Sequence, residues 1–203
     1  MKIAITTETT CDLSQDLLKK YNIITIPFTV TLGERSEPDG IITGKDLIDY
    51  TMKTGQLGRT SAVNEMEYTE FFTSVLKDYD EQIHICLSSG ISCAYNNAVN
   101  ASEAFGGKVH VIDSRSLSTG VALECIYAAK LVEAGKSPEE IVFITHTIYG
   151  EEDHKIVAWV KERLEREGFK HVYETYAGAT ISCHCGPNTL GILYLNDGEH
   201  PIA

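Results

Sequence analysis

Short apolar runs alternate with amphipathic stretches along most of the chain, and the apolar spacing switches between the period of a strand and that of a helix. Ile3–Thr7 predicts a strand, Ser14–Tyr21 a helix and Ile23–Leu32 an extended segment. Helices over Thr43–Thr54 and Asn64–Lys77 open on the capping signatures Thr43-x-x-Asp46 and Asn64-x-x-Glu67. Their apolar positions, Leu47, Ile48 and Thr51, then Phe71, Phe72, Val75 and Leu76, are expected in the core. Strand Ile83–Leu87, helix Ala94–Ala104, strand Val109–Ile112 and helix Ser118–Ala134, stopped by Gly135, continue an alternation that builds a parallel sheet.

Beyond this point the pattern changes. Ser137-Pro138-Glu139-Glu140 reads as a helix start with proline in its first turn, yet Ile141–Thr145 follows at once as an apolar run. A strongly amphipathic helix, Asp153–Glu167, with Ile156, Val157, Val160 and Leu164 on one face, precedes three short extended segments: Val172–Tyr176, Thr180–Cys185 and Gly191–Leu195. The expected fold class is α/β: a parallel-sheet N-terminal α/β domain, residues 1–140, followed by a small, truncated α+β domain, residues 141–203.

Composition narrows the function. The 203 residues, 43% hydrophobic and 23% charged, suffice for a real core. A net charge of −12 without a basic stripe argues against nucleic acid as a partner. Met1–Thr6 turns polar too soon for a secretory signal and no apolar stretch is long enough to span a bilayer, so a cytoplasmic location is expected. The six cysteines then read as reduced thiols. Cys183-His184-Cys185 has a metal-like look, but on a strand its cysteines face one way and its histidine the other; no metal and no cofactor are expected.

The strongest chemical signal is Ser88-Ser89-Gly90-Ile91-Ser92-Cys93-Ala94-Tyr95, which follows the apolar run Ile83–Leu87 and leads into a helix. Hydroxyls and unpaired helix amides there gather at a strand's carboxyl end, where open α/β sheets bind ligands, and they suit a carboxylate or phosphate. Serine is equally an ordinary N-cap, so the turn alone leaves both readings open. Three further polar clusters, Thr6–Thr10, Gly58–Ser61 and Asp113–Ser116, are expected at the same edge of one parallel sheet. Capping needs one acceptor per helix, so several converging hydroxyl loops favour a small-anion site. His184, ahead of the Gly186-Pro187 turn, adds a ring N–H donor beside a close-approach backbone. The chain lacks the Gly-x-Ser-x-Gly elbow, the phosphate loop and the dinucleotide fingerprint; a hydrolase triad of Ser89 or Ser92 with His184 and Asp113 remains a further reading.

In order and spacing, Ile3–Leu13, Ile24–Phe28, Asp39-Gly40, Thr60-Ser61, Ser88–Tyr95, Val111–Ser114 and His184–Pro187 resemble the DegV family of bacterial fatty-acid-binding proteins, which includes acyl-binding subunits of fatty-acid kinase. The resemblance implies a two-domain α/β protein that holds one long-chain fatty acid, its tail in an apolar tunnel and its carboxylate among hydroxyls between the domains. Thr60, Ser61, Ser88, Ser89 and Ser92 match the family's carboxylate-holding hydroxyls, and His184 matches its head-group histidine. Thr9, Asp113, Ser114 and Gly186 fall on the supporting loops. A non-catalytic binder is implied, with a separate kinase as the partner that supplies ATP. Glu8-Thr9-Thr10 stands where the family has Asp-Ser-Thr, Ser92-Cys93-Ala94-Tyr95 where it has Ser-Gly-Thr-Tyr, and Ala62-Val63 where it has Gln-Pro. An arginine-bearing stretch expected before the His146-Thr147 region is missing. A shortened second domain leaves sheet edges uncovered, so a homodimer through residues 141–203 is expected. The alternative is a shortened relative without acyl binding, retaining a small-anion or protein-interaction role.

Overall fold

The strand Ile3–Glu8 (β1) is buried almost end to end, and its two faces serve different purposes. Ile5 belongs to an apolar core, while Thr6 and Glu8 join a buried polar network on the opposite face. A computed structural model of the chain describes residues 2–133, 141–147, 154–166 and 171–194. Among these, β1 is followed by a 3₁₀ turn, Thr9–Cys11, helix Gln15–Tyr21 (α1) and strand Ile23–Ile26 (β2). Ser14 starts α1 by accepting the Leu17 N–H.

The chain then leaves the main sheet. Thr29–Leu32 (β3) and Arg35–Pro38 (β4) form a hairpin, Gly44–Thr54 (α2) follows, and Arg59–Ser61 (β5) returns to β3. Ile23–Leu32 is therefore two strands in two sheets rather than one. Pro27, between them, offers no N–H to a ladder, so pairing stops there. Gly58–Ser61, expected at the parallel sheet's edge, lies instead in this small antiparallel sheet of order β4-β3-β5. Gly58 suits its place, because a Cβ there would come within 2.8 Å of Leu32 and 2.9 Å of Leu47.

Glu65–Val75 (α3), Glu81–Cys86 (β6), Ala94–Ser102 (α4), Val109–Asp113 (β7) and Thr119–Val132 (α5) complete the first part. Both expected capping boxes are formed: Thr43 with Asp46 opens α2 and Asn64 with Glu67 opens α3. Strands pair in parallel in the order β2-β1-β6-β7. Leu17, Tyr21, Val121 and Ile126 pack on one face with Ile5, Ile23 and Ile85; Tyr68, Phe72, Ala94 and Ala98 pack on the other with Ile26, Cys86 and Leu87. This is a doubly wound α/β arrangement. At its centre β1 leads to α1 on one face and β6 leads to α4 on the other.

The remaining elements are Ile141–His146 (β8), His154–Arg166 (α6), His171–Tyr176 (β9), Ala179–Cys185 (α7) and Leu190–Tyr194 (β10). The three strands form a second mixed sheet, β10-β8-β9, with β8 and β9 parallel. Val157, Val160 and Leu164 of α6 pack with Val172 and Leu190, whereas Ile156, expected on that face, is 56% exposed. Helix α5 touches both the parallel sheet and this second sheet. The proposed boundary at 140, Gly135 and the Ser137–Glu140 signal lie outside the described residues. No helix among the described residues is long and apolar enough to cross a membrane.

Thr180–Cys185 is the main correction. It is helical, not extended, although Ile181, Cys183 and Cys185 alternate as a strand would. The first amides of α7 are taken by carboxylates far away in sequence: Gly178 N–H donates to Asp12 Oδ1 (2.7 Å), Ala179 N–H to Asp39 Oδ1 (3.1 Å) and Thr180 N–H to Asp39 Oδ2 (3.4 Å). Negative charge at a helix amino-terminus is stabilising, and here tertiary capping overrides the local pattern. Helix α7 packs against α2 and β3, with Ala179 buried and Cys183 beside it.

Candidate functional site

The candidate cleft lies at the carboxyl end of β6, with α7 on its far side. Behind Leu87, which borders it, lies a buried carboxylate. Glu8 Oε2 accepts the Leu87 N–H at 2.9 Å and Glu8 Oε1 accepts the Tyr68 hydroxyl at 2.7 Å, so the last residue before the serine turn is pinned to β1. Burial pushes the Glu8 carboxyl upward, but His84, Tyr68 and the Leu87 amide outweigh it and hold the group below its ordinary value.

From there the turn is built by local bonds. Ser88 N–H donates to the Ser116 carbonyl (3.0 Å), and the Ser88 carbonyl accepts from the amides of Ile91 (3.1 Å) and Ser92 (3.2 Å). Ser88 Oγ accepts the Gly90 N–H at 3.2 Å. Asp113, at the end of β7, accepts the Ser89 hydroxyl at 2.6 Å and the amides of Ser89 and Arg115 at 3.1 and 3.0 Å. The Ser89 hydroxyl, followed by the Arg115 amide, holds the Asp113 carboxyl below its usual value against a small opposing effect of burial. Ser114 and Ser116 close the neighbouring loop on themselves.

The result is a cleft of about 340 Å³ bordered by Thr60, Ser92 and His184, with Phe28, Leu87, Ile91, Leu117 and Ile181 among its apolar walls. Thr60 Oγ1 and His184 Nε2 are 3.3 Å apart, so β5 and the last turn of α7 meet across it. Ser92 Oγ accepts the Ala94 N–H at 3.1 Å, at the opening of α4. The six sequence-predicted residues thus divide. Thr60, Ser92 and His184 come together on the cleft; Ser88 and Ser89 spend their hydroxyls shaping the turn; Ser61 pairs with Thr29 in the small sheet and does not border the cleft.

The supporting residues also have defined places. Thr9 Oγ1 accepts the Phe28 N–H and donates to Asp39, both at 3.3 Å, and so lies behind the cleft rather than on it. Gly186, at φ 76°, ends α7, and its carbonyl accepts the Thr147 hydroxyl at 2.7 Å. In helical form Cys183 and Cys185 no longer share a face: Cys183 turns to the Gly58 carbonyl, while Cys185 joins His184 at the cleft. Sequence reasoning did not find Cys93, Leu117, Thr180 or Ile181 on the cleft, nor the Asp12–Asp39 clasp that holds α7 in place. The only available signal for the clasp was two isolated carboxylates beside loops, Asp12 at the end of the first and Asp39 ahead of Gly40.

Sequence and structure comparisons point one way. The family model for "uncharacterised protein, DegV family" matches residues 2–149. A DegV domain-containing protein of Caldanaerobacter subterraneus subsp. tengcongensis is 34% identical over 142 residues, covering 70% of this chain and 51% of that protein. The chain thus spans about half the length of such relatives. Among solved structures, a DegV family protein from Thermus thermophilus described for its fatty-acid binding superposes with a TM-score of 0.86 at 17% identity, over 96% of this chain and 99% of that one. DegV from Bacillus subtilis, described as a fatty acid binding protein, gives 0.83 at 18% identity, over 96% and 99%. With a family match over well over half its length and the α/β fold in agreement, this chain belongs to the DegV family.

Proposed function

We propose that the chain binds a long-chain fatty acid, or a similar amphipathic carboxylate, in the cleft between the serine turn, β5 and α7. The observation that carries this reading is the meeting of Thr60, Ser92 and His184 with a wall of Phe28, Leu87, Ile91, Leu117 and Ile181 in one open cleft. Hydroxyl and imidazole donors suit a carboxylate, the amino-terminal turn of α4 adds partial positive charge, and the apolar wall suits an alkyl chain. The fatty-acid binding described for structural relatives supports the same ligand class. Ser61, Ser88 and Ser89 act in this reading by shaping the site.

The protein binds rather than cleaves. The His184 ring nitrogen faces Thr60, and Ser89 is engaged by Asp113, so a serine nucleophile with its own histidine is not the arrangement the geometry favours. Presentation of the bound carboxylate to a separate kinase follows from the family resemblance and belongs to the same proposal. So does self-association through the later region, supported by Trp159 and Ile156 standing 65% and 56% exposed on α6. A dimer by light scattering at micromolar concentration supports that last part, and a monomer alone removes it.

Native mass spectrometry after mild delipidation tests the central claim. Uptake of oleate or palmitate by the wild-type chain is expected, with Ser92→Ala weakening it roughly tenfold or more through loss of a charge-assisted hydrogen bond. No uptake by folded wild-type protein would leave the small-anion or interaction reading in its place.

A further inference from the structure

Beneath the serine turn, on the sheet face covered by α3, three groups with metal-ligand chemistry converge from two strands. Thr6 of β1 pairs with His84 of β6, which sets Glu8 and Cys86 one step further along on the same face. A ligand atom from each of Glu8, His84 and Cys86 lies within 4.8 Å of the other two, and all three side chains are fully buried. The rings of Tyr68 and Phe72 pack edge-on against His84 and shut the cluster from solvent.

The spacing is informative. His84 Nε2 stands 3.5 Å from Glu8 Oε1 and has no hydrogen-bond partner. In a dry interior an imidazolium and a carboxylate draw together to about 2.7–2.9 Å. Two ligands held at about 2.1 Å around a tetrahedral ion stand roughly 3.4 Å apart, which is the separation seen. The other ring nitrogen, Nδ1, is 2.9 Å from Thr6 Oγ1, which itself accepts from Gln82 Nε2 at 2.7 Å. That is the outer hydrogen bonding that fixes a ligating histidine's ring.

We propose that Glu8, His84 and Cys86 form a buried structural site for a divalent zinc ion. One nitrogen, one sulfur and one oxygen ligand suit zinc, with the fourth tetrahedral position left to a water carried in with the ion, and a carboxylate with a thiolate neutralises its charge in a medium that tolerates no uncompensated ion. Loading releases the Cys86 thiol proton and any proton on His84 Nε2. Tyr68 and the Leu87 amide keep their bonds to Glu8 throughout. The ion ties β1 to β6 at the point where β6 passes into the serine turn, and because the cluster is closed it enters during folding.

Full-length protein, unfolded and stripped with chelator, is refolded with equimolar zinc, desalted and analysed for metal. About one zinc per chain is expected, together with a higher Tm than protein refolded in chelator. Cobalt in place of zinc is expected to show a thiolate-to-cobalt absorption band that Cys86→Ser abolishes and the Cys183→Ser/Cys185→Ser double variant retains. Folded wild-type protein holding less than about a tenth of an equivalent overturns the site and leaves a proton between His84 and Glu8. A band that survives in folded Cys86→Ser but vanishes in the double variant overturns it too, in favour of the α7 thiols. Since no arm uses a fatty acid, the outcome is independent of the acyl-binding reading.

Discussion

Two clefts of the same volume, about 340 Å³ each, flank α7, and they differ in the polar groups that they offer. One is bordered by the carboxylates Asp12, Asp39 and Glu174; the other by Thr60, Ser92 and His184 set among apolar side chains. A fatty-acid carboxylate in the first would meet like charges at close range, whereas the second offers donors. The carboxylates of the first are already engaged: Asp12 and Asp39 cap the amino-terminal amides of α7, and Glu174 pairs with His146. One short helix is therefore anchored at its amino end and places His184 and Cys185 on the hydroxyl cleft at its carboxyl end. Size does not distinguish the two clefts; hydroxyl and imidazole groups in place of carboxylates do.

The sharpest test of this division is Asp39→Ala. It removes the acceptor for the Ala179 and Thr180 amides and for the Thr9 hydroxyl in a buried setting, and should cost about 3 kcal/mol in chemical denaturation. Unchanged stability would erase the distinction between a joint and a site. Asp12 gives a pH-dependent version. Burial raises its carboxyl to about 7, helped by the charge of Asp39 and opposed by hydrogen bonds from Ser118 and Gly178. A carboxyl raised in the folded state stabilises fully below its unfolded value near 3.8, and that contribution is lost as pH climbs through the folded value near 7. Asp12→Asn cannot ionise, suits the left-handed backbone at φ 55° and keeps a carbonyl oxygen for the Gly178 amide. It should match wild type at pH 4 and gain on the order of 2 kcal/mol by pH 8 in thermal melts. An equal difference at both pH values would show that Asp12 carries no unfavourable charge.

On the other side, Thr60→Val removes the hydroxyl that faces His184 while keeping the β-branched shape of a strand residue. Acyl affinity should fall about tenfold with stability changed by less than about 0.5 kcal/mol, as read by ligand titration and denaturation together. A stability loss without an affinity loss would move Thr60 to the structural side of the comparison.

What could be read from sequence follows the same line between local and tertiary causes. The parallel sheet was legible because its strands and the helices between them carry their own periods, unlike the short strands of the β4-β3-β5 sheet, and both capping boxes were legible because each is a four-residue interaction. Helix α7 was not, because its caps are Asp12 and Asp39, 166 and 140 residues away. Ser89 and Ser92 look alike in sequence, yet Asp113 lies 24 residues from Ser89 and claims its hydroxyl, while Ser92 stays on the cleft. The resemblance names the loops but not which of their hydroxyls the turn itself uses, since that depends on neighbours distant in sequence, as Asp113 is for Ser89.

The smallest effect concerns the rim. Ile91 is 61% exposed and Leu117 42% exposed, and both border the hydroxyl cleft. Exposed apolar side chains at a cleft mouth gain only when a ligand covers them, at roughly 25 cal/mol per Å². Truncating Ile91 to alanine removes a few tens of Å² of coverable surface, so palmitate affinity should drop two- to fivefold, about 0.4–1 kcal/mol. A short-chain acid that fills only the head-group end should not register the change, because its tail never reaches the rim. Equal losses for both acids would place the alkyl chain away from Ile91 and Leu117, and would confine what the hydroxyl cleft offers over the acidic one to its polar groups.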